Sequence, residues 1–244
     1  MSDDDDLTPP ITRRQLLALG AAVPTLAQER ELKVVVVGGH PDDPESGCGG
    51  TMARYADGGH RVTALYLTRG EAGISGKPAA EAALIRSREC EIACTILRAR
   101  PVFAGQVDGA TEVNSARYEV FRKLLVAEDP DVIFAQWPID THRDHRAASL
   151  LTYDFWRGSA KRVPLYYYEV MTGSQTQNFS PTDYVDITSS EKRKLDACFA
   201  QASQNPEEFY RHHARMNEFR GLERRVRYSE AFIRHSASPA GWLP

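Results

Sequence analysis

Short apolar runs alternate along this chain with longer segments whose apolar residues recur every three or four positions. Leu32 to Val37 is the first run, and its length and β-branched content predict a buried strand. A helix is predicted near 49–57, ended by Gly58-Gly59, and Arg61 to Leu67 reads as the next strand. Thr68 to Pro78 is a Gly-rich loop, followed by a long helix over about 80–98 and a short strand from Pro101 to Ala104. Asn114 starts a helix that runs to about Ala127, and Pro130 precedes the strand Asp131 to Ala135. Gln136 to Arg146 is a loop rich in charge and His, with a helix after it to about Arg157. Leu165 to Val170 and Tyr184 to Ile187 read as further strands. Ser189 or Ser190 caps a helix over 191–203, with Glu191 in the first turn where the helix dipole favours an anion. Asn205-Pro206 opens a last helix through about 220.

Strands that alternate with helices predict an α/β, Rossmann-like, doubly wound and mostly parallel sheet with helices on both faces. There is no internal repeat and no low-complexity linker, so residues 31–240 are expected to form a single domain. Sites in such sheets form at the carboxyl ends of the strands. The three polar loops, 38–51, 68–78 and 136–147, each follow a predicted strand, so they can meet in one crevice.

Composition changes this picture little. The chain has 244 residues, 42% hydrophobic and 26% charged, with a formal net charge of −3 and no long basic run, so nothing points to nucleic acid. No stretch approaches the roughly 20 apolar residues of a membrane-spanning helix. The N-terminus stands apart. Residues 1–10 are acidic and end in Pro9-Pro10; Arg13-Arg14 then precede a weakly apolar run to Ala27. Paired arginines before such a run predict a twin-arginine signal over 1–27, cleaved near Thr25-Leu26-Ala27. The expectation is export to the periplasm or beyond without stable membrane insertion; without that signal the protein would be cytoplasmic. Cys90 and Cys94 sit one helical turn apart and are expected to face the core; Cys48 falls in the loop after the first strand, and Cys198 in a late helix. The four cysteines make no disulfide framework.

The candidate chemistry begins at Gly38-Gly39-His40-Pro41-Asp42-Asp43-Pro44-Glu45. One imidazole and three carboxylates leave a buried strand together, and carboxylates so placed repel one another and resist desolvation. A divalent metal ion is the economical counter-charge. A second cluster, Thr141-His142-Arg143-Asp144-His145, supplies what the first lacks. A catalytic zinc takes three His or carboxylate ligands and keeps a fourth position open. His40, Asp43 and His145 would make such a set, leaving Asp42 beside the water as general base and His142 toward the far side of a bound carbonyl. The donors equally admit iron or another divalent ion.

Gly-His-Pro-Asp-Asp-Pro-Glu with the later His-Arg-Asp-His resembles the PIG-L/LmbE-like zinc deacetylases. So do Leu67-Thr68-Arg69-Gly70-Glu71-Ala72-Gly73, Arg86-x-x-Glu89 and Val107-Asp108-Gly109, and the likeness spans about 32–235. It implies removal of an N-acyl group, usually acetyl, from an N-acetylglucosamine-type sugar or glycoconjugate. Residue by residue it implies zinc on His40, Asp43 and His145, Asp42 as general base and later acid, and His142 on the oxyanion. It further implies Arg86 and Asp108 on the sugar hydroxyls, and Asp144 as a carboxylate that orients a neighbouring His. Two positions depart from the pattern. Many members carry Glu directly after the second Asp, where Pro44 stands before Glu45, which leaves the role of Glu45 open. Asp140 stands two before His142, where some sugar-conjugate deacetylases carry Tyr, so their substrate choice does not transfer.

Other readings remain at this stage: a metal hydrolase of another amide or ester, or a non-catalytic carbohydrate-binding protein. Oligomeric state is open. Arg69 and Glu71 lie in a loop that could cover the site. His212-His213 are adjacent on a helix and so point apart; they read as surface or packing. Tyr166-Tyr167-Tyr168 reads as strand and core, and Glu223 to Arg227 as a solvated charged face.

Overall fold

Four valines in succession, Val34 to Val37, fill the middle of the central strand, and all four are buried. Alternate side chains of a strand point to opposite faces. Val34 and Val36 accordingly join one core with Met52, Tyr55, Leu97 and Phe134, while Val35 and Val37 join the other with Leu65, Phe121, Leu151 and Trp156. A strand buried on both faces needs no polar alternation, which is why the run reads as continuous.

The structure, a computed structural model, describes residues 30–244. The expected export signal over 1–27 lies outside the described residues. Glu31–Pro244 forms one compact unit. Its elements are β1 (Lys33–Gly38), α1 (Asp43–Asp57), β2 (Arg61–Tyr66), α2 (Ala79–Leu97), β3 (Ala99–Phe103), α3 (Ser115–Glu128), β4 (Val132–Gln136), α4 (Arg143–Gly158), β5 (Leu165–Tyr168), β6 (Asp183–Asp186), α5 (Glu191–Phe199), α6 (Pro206–Arg224) and β7 (Ser229–Arg234). The sheet runs in the order β3-β2-β1-β4-β5-β7-β6. The first five strands are parallel; β7 pairs antiparallel with both β5 and β6. The expected α/β, mostly parallel sheet covered on both faces is what forms.

Between β1 and β4 the strand order reverses direction, and such a reversal opens a crevice at the carboxyl ends. The loops after β1 and β4 flank it. Gln136, the last residue of β4, accepts a hydrogen bond from the Gly39 N–H at 2.8 Å and so ties the two loops together.

Several boundaries differ from the sequence reading. α1 begins at Asp43 rather than near 49, so Cys48 lies in a helix, fully buried, and not in a loop. Three glycines in its early turns hide that helix from propensity arguments. Packing selects them: a Cβ at Gly47 would collide with the Tyr168 ring, and one at Gly50 with Ile187 at 2.6 Å. The helix expected over 191–203 stops at Phe199, with a short 3₁₀ turn at Ala202–Gln204. β7 follows directly on the charged run and was not expected. Its Glu230 is buried against Lys194 at 2.7 Å, a pairing that local pattern does not reveal. All four cysteines are free and buried.

Candidate metal centre and active site

β1 ends at Gly38, and the chain turns at once into His40, Pro41 and Asp42. Asp42 takes a positive φ of 109°, a conformation that costs a residue with a Cβ of order 1–3 kcal/mol. The start of α1 holds it there: the Asp42 N–H donates to Glu45 Oε2 at 3.1 Å, and the Ser46 N–H donates to the Asp42 carbonyl at 2.8 Å. Glu45 is itself buried and fixed by the Tyr66 hydroxyl at 2.8 Å and the Gln201 amide at 3.0 Å. Burial pushes its carboxyl up to about 7, with the Tyr66 hydroxyl opposing. The open question about Glu45 thus has a structural answer: it closes the helix start that aims Asp42. Pro44 disrupts nothing, because it sits in the first turn of α1, where no intrahelical partner is needed for its missing N–H.

Asp43 Oδ2 lies 3.2 Å from His40 Nδ1, and Asp43 Oδ1 lies 3.3 Å from His145 Nε2. These two contacts run through different Asp43 oxygens. Among the described residues, the donor sets of this cluster whose atoms all lie within 4.8 Å of one another are His40, His142 and His145, and His40, Asp108, His142 and Asp144. The cluster therefore suits a divalent ion, with Asp43 at its edge and not within either set. The charges fit as well. The carboxylates of Asp42, Asp43, Asp108, Asp140 and Asp144 crowd the imidazoles, and Arg86 is the guanidinium that reaches one of them. Burial alone would raise Asp43, yet the His145 charge and the His40 hydrogen bonds hold its carboxyl below the usual range. Burial alone would lower His40; hydrogen bonds to Asp108, Asp144 and Asp43 outweigh it and raise the imidazole. A cation is what this excess of negative charge lacks.

The outer nitrogens of the two imidazoles face carboxylates. His40 Nε2 meets Asp144 Oδ2 and Asp108 Oδ1, each at 3.1 Å. His145 Nδ1 lies 3.1 Å from Asp140 Oδ1, an ion-pair contact whose geometry does not make a hydrogen bond. A carboxylate hydrogen-bonded to a ligating His fixes its tautomer and orientation. Asp144 contacts His40 as the resemblance implies, whereas nothing in the sequence around Asp140 marks it as a neighbour of His145. Asp140 is further locked by the His142 N–H at 2.8 Å and the Thr176 hydroxyl at 3.0 Å.

His142 precedes α4, half-buried, with its ring stacked on His145 at 4.7 Å between centroids. Its Nδ1 accepts from the Asp144 N–H at 3.3 Å, so the neutral ring carries its proton on Nε2. Burial, and then the neighbouring His40 and His145, lower its pKa. Asp42 Oδ2 accepts from Arg86 at 2.8 Å. Burial pushes Asp42 up to about 6, Arg86 pulling against it and Asp43 adding to it.

All eight residues singled out from the sequence meet here: His40, Asp42, Asp43, Arg86, Asp108, His142, Asp144 and His145. Seven line a cavity of about 450 Å³, with Asp144 buried behind them. Arg86 is 3% exposed and packs against Gly70 and Gly73, so its guanidinium serves Asp42 while lining the cavity. Asp108 is held by the loop after β2: its N–H donates to Glu71 Oε2, and its Oδ2 accepts from the Ala72 N–H, both at 3.1 Å. Glu71 therefore braces the site, whereas Arg69 is exposed and lies over Phe103. The three tyrosines are buried, as expected of core. His213 was read as surface or packing; His212 is exposed, but His213 turns into the cavity wall.

The profile of the GlcNAc-PI de-N-acetylase (PIG-L) family matches residues 35–156, half the chain and the half that carries all of this constellation. The chain belongs to the PIG-L family. Diacetylchitobiose deacetylase of Thermococcus kodakarensis is 29% identical over 197 residues, which span 73% of this chain and 72% of that one. The solved N,N'-diacetylchitobiose deacetylase of Pyrococcus horikoshii superposes with a TM-score of 0.77 at 25% identity, covering 91% of this chain and 89% of that one. The 4-carboxy-2-hydroxymuconate hydratase of Pseudomonas putida superposes with a TM-score of 0.75 at 21% identity, covering 87% of this chain and 100% of that one. The fold alone therefore does not select the chemistry.

Proposed function

We propose that this protein is a metal-dependent hydrolase that removes an N-acetyl group from an N-acetylglucosamine-type sugar or glycoconjugate. The observation that carries the reading is the separation of two adjacent aspartates: Asp43 contacts two imidazoles at 3.2 and 3.3 Å, while Asp42 faces the cavity in a strained backbone conformation. A protein that merely held a metal or a sugar would not need a base beside the ligands.

His40, Asp43 and His145 would hold the ion, zinc being the natural occupant of a His₂-Asp set, with iron or another divalent ion also fitting its donors. When bound, the ion lowers the pKa of water and polarises a carbonyl. Asp42 takes the proton of the attacking water, and Arg86 keeps its carboxylate pointed into the cavity. The His142 Nε2–H donates to the oxyanion that develops on the acyl oxygen, a contact of the kind worth about 3 kcal/mol. Asp42 then returns its proton to the leaving amine. Asp108 and Arg86 line the same cavity and would meet the sugar hydroxyls. The products are acetate and a free amino sugar.

Acetate release from a panel of N-acetylated sugars and glycans, with metal-loaded protein, tests the reading. Asp42→Asn should cut turnover by roughly 10²- to 10⁴-fold while metal content stays unchanged. Activity surviving in that variant would remove Asp42 from the mechanism. We also infer export by the twin-arginine route from Arg13-Arg14 and the apolar run after them. Full-length protein recovered only from the cytoplasm of its host would refute it.

A further inference from the structure

One wall of the cavity has no part in the chemistry above. It is built from Val170 and Met171 after β5, Gln175 beyond them, Gln204 of the 3₁₀ turn, and Phe209 and His213 of α6. Val170, Met171 and Phe209 are apolar. His213 is 2% exposed, and its Nδ1 has no hydrogen-bond partner among the described residues. A buried ring nitrogen without a partner costs about 1–3 kcal/mol. The packing that maintains this one is extensive: one turn further along α6, Asn217 Oδ1 accepts from the buried Lys194 Nζ at 3.0 Å, and Lys194 pairs with Glu230.

We propose that His213 hydrogen-bonds a hydroxyl of the amino-sugar acceptor and thereby helps set which sugars the site accepts; this rests on the deacetylase reading. Burial, and then the Lys194 charge, push the imidazole down to about 3, so it stays neutral under working conditions. Nδ1 is enclosed in the wall, so Nε2 is the ring nitrogen left open to the cavity; it donates or accepts according to tautomer, and a hydroxyl can answer either. The acyl methyl complements neither, and the acyl oxygen is met by His142. A site that buries a polar group for a substrate hydroxyl also rejects analogues lacking it, because the group is then left unpaired. His213 is thus a binding residue in the same cavity as Arg86 and Asp108.

The experiment uses full-length wild type, His213→Phe and His213→Asn. Metal content and thermal stability are measured alongside. Acetate release is followed with N-acetylglucosamine and with monodeoxy analogues, each lacking a different hydroxyl. Glucosamine binding to the metal-free proteins is titrated by calorimetry. His213→Phe should lower kcat/KM for N-acetylglucosamine roughly 10- to 100-fold and weaken glucosamine binding, at unchanged metal content. For one analogue the wild type and variant should be equal within about twofold, because the partner hydroxyl is gone from both. If His213→Phe does not fold, His213→Asn carries the same comparison. An equal loss on every analogue would mean structural damage and overturn the inference, as would no loss on N-acetylglucosamine. His213-dependent glucosamine binding by a wild type that releases no acetate from any sugar would keep the inference and overturn the deacetylase reading.

Discussion

Asp42 and Asp43 are neighbours in the chain with opposite electrostatics. Asp43 accepts from the His40 N–H at 2.8 Å and sits between two imidazoles, which holds it ionised. Asp42 is half-buried beside a second carboxylate, and desolvation raises it to about 6 despite Arg86. A general base works deprotonated, so kcat/KM should fall as pH drops through about 6. A bound dication favours the carboxylate and moves that limb lower. A pH–rate profile whose acid limb lay well above 7 would contradict this assignment. Asp140 allows a second prediction at this scale. Its carboxylate lies 3.1 Å from His145 Nδ1, so if that contact tightens when a metal binds, Asp140→Ala should weaken metal affinity about 10- to 100-fold, read by competition with a chromophoric chelator. Unchanged affinity would reduce Asp140 to a loop anchor. The sequence exposed His40, Asp42, Asp43, His142 and His145 because two dense clusters each follow a strand. It did not expose the work of Asp140 or His213. A carboxylate's partner, or the direction of one helical side chain, depends on residues far away in the chain.

At the scale of the element, α1 is the part most dependent on its surroundings. Its N-terminus holds Asp42 through Glu45, and Glu45 depends in turn on Tyr66 of β2 and Gln201 after α5. Its glycines allow close approach to β5 and to the segment after β6. Gly47→Ala would drive a methyl into the Tyr168 ring, whose hydroxyl donates to the Val37 carbonyl at 2.9 Å. A cost of about 1–3 kcal/mol is expected, read as a lowered urea midpoint, with activity falling because the same helix aims Asp42. A midpoint unchanged from wild type would show that the Tyr168 ring moves aside freely. The same reasoning explains why the sequence placed the start of α1 six residues late. Gly47, Gly49 and Gly50 disfavour a helix locally, and the contacts that reward them are tertiary.

For the whole molecule, the reversal of strand order between β1 and β4 brings the two clusters together, and the loops after β2 and β3 close the sides. An ion bridging the loops after β1 and β4 binds the folded chain alone, so it stabilises by mass action. At free metal about 100-fold above Kd the gain is about 2.7 kcal/mol, which for a body of this size raises Tm by roughly 5–10 °C. Chelation should reverse the shift and abolish acetate release together. Stability indifferent to chelator, with activity intact, would mean that these loops do not share a metal. Among the described residues no helix is long and apolar enough to cross a membrane.

By itself the sequence determined the strands that are continuous and β-branched, the alternation that makes the sheet parallel, and the two clusters that meet in one cavity. Those properties are written in contiguous residues, through side-chain shape and period. The tertiary structure alone decided that β7 inserts between β5 and β6, that Lys194 and Glu230 bury their charges together, that Asp140 lies beside His145, and that His213 faces the cleft. Each of these depends on a partner brought close by folding, and a partner's identity leaves no periodic mark on the chain.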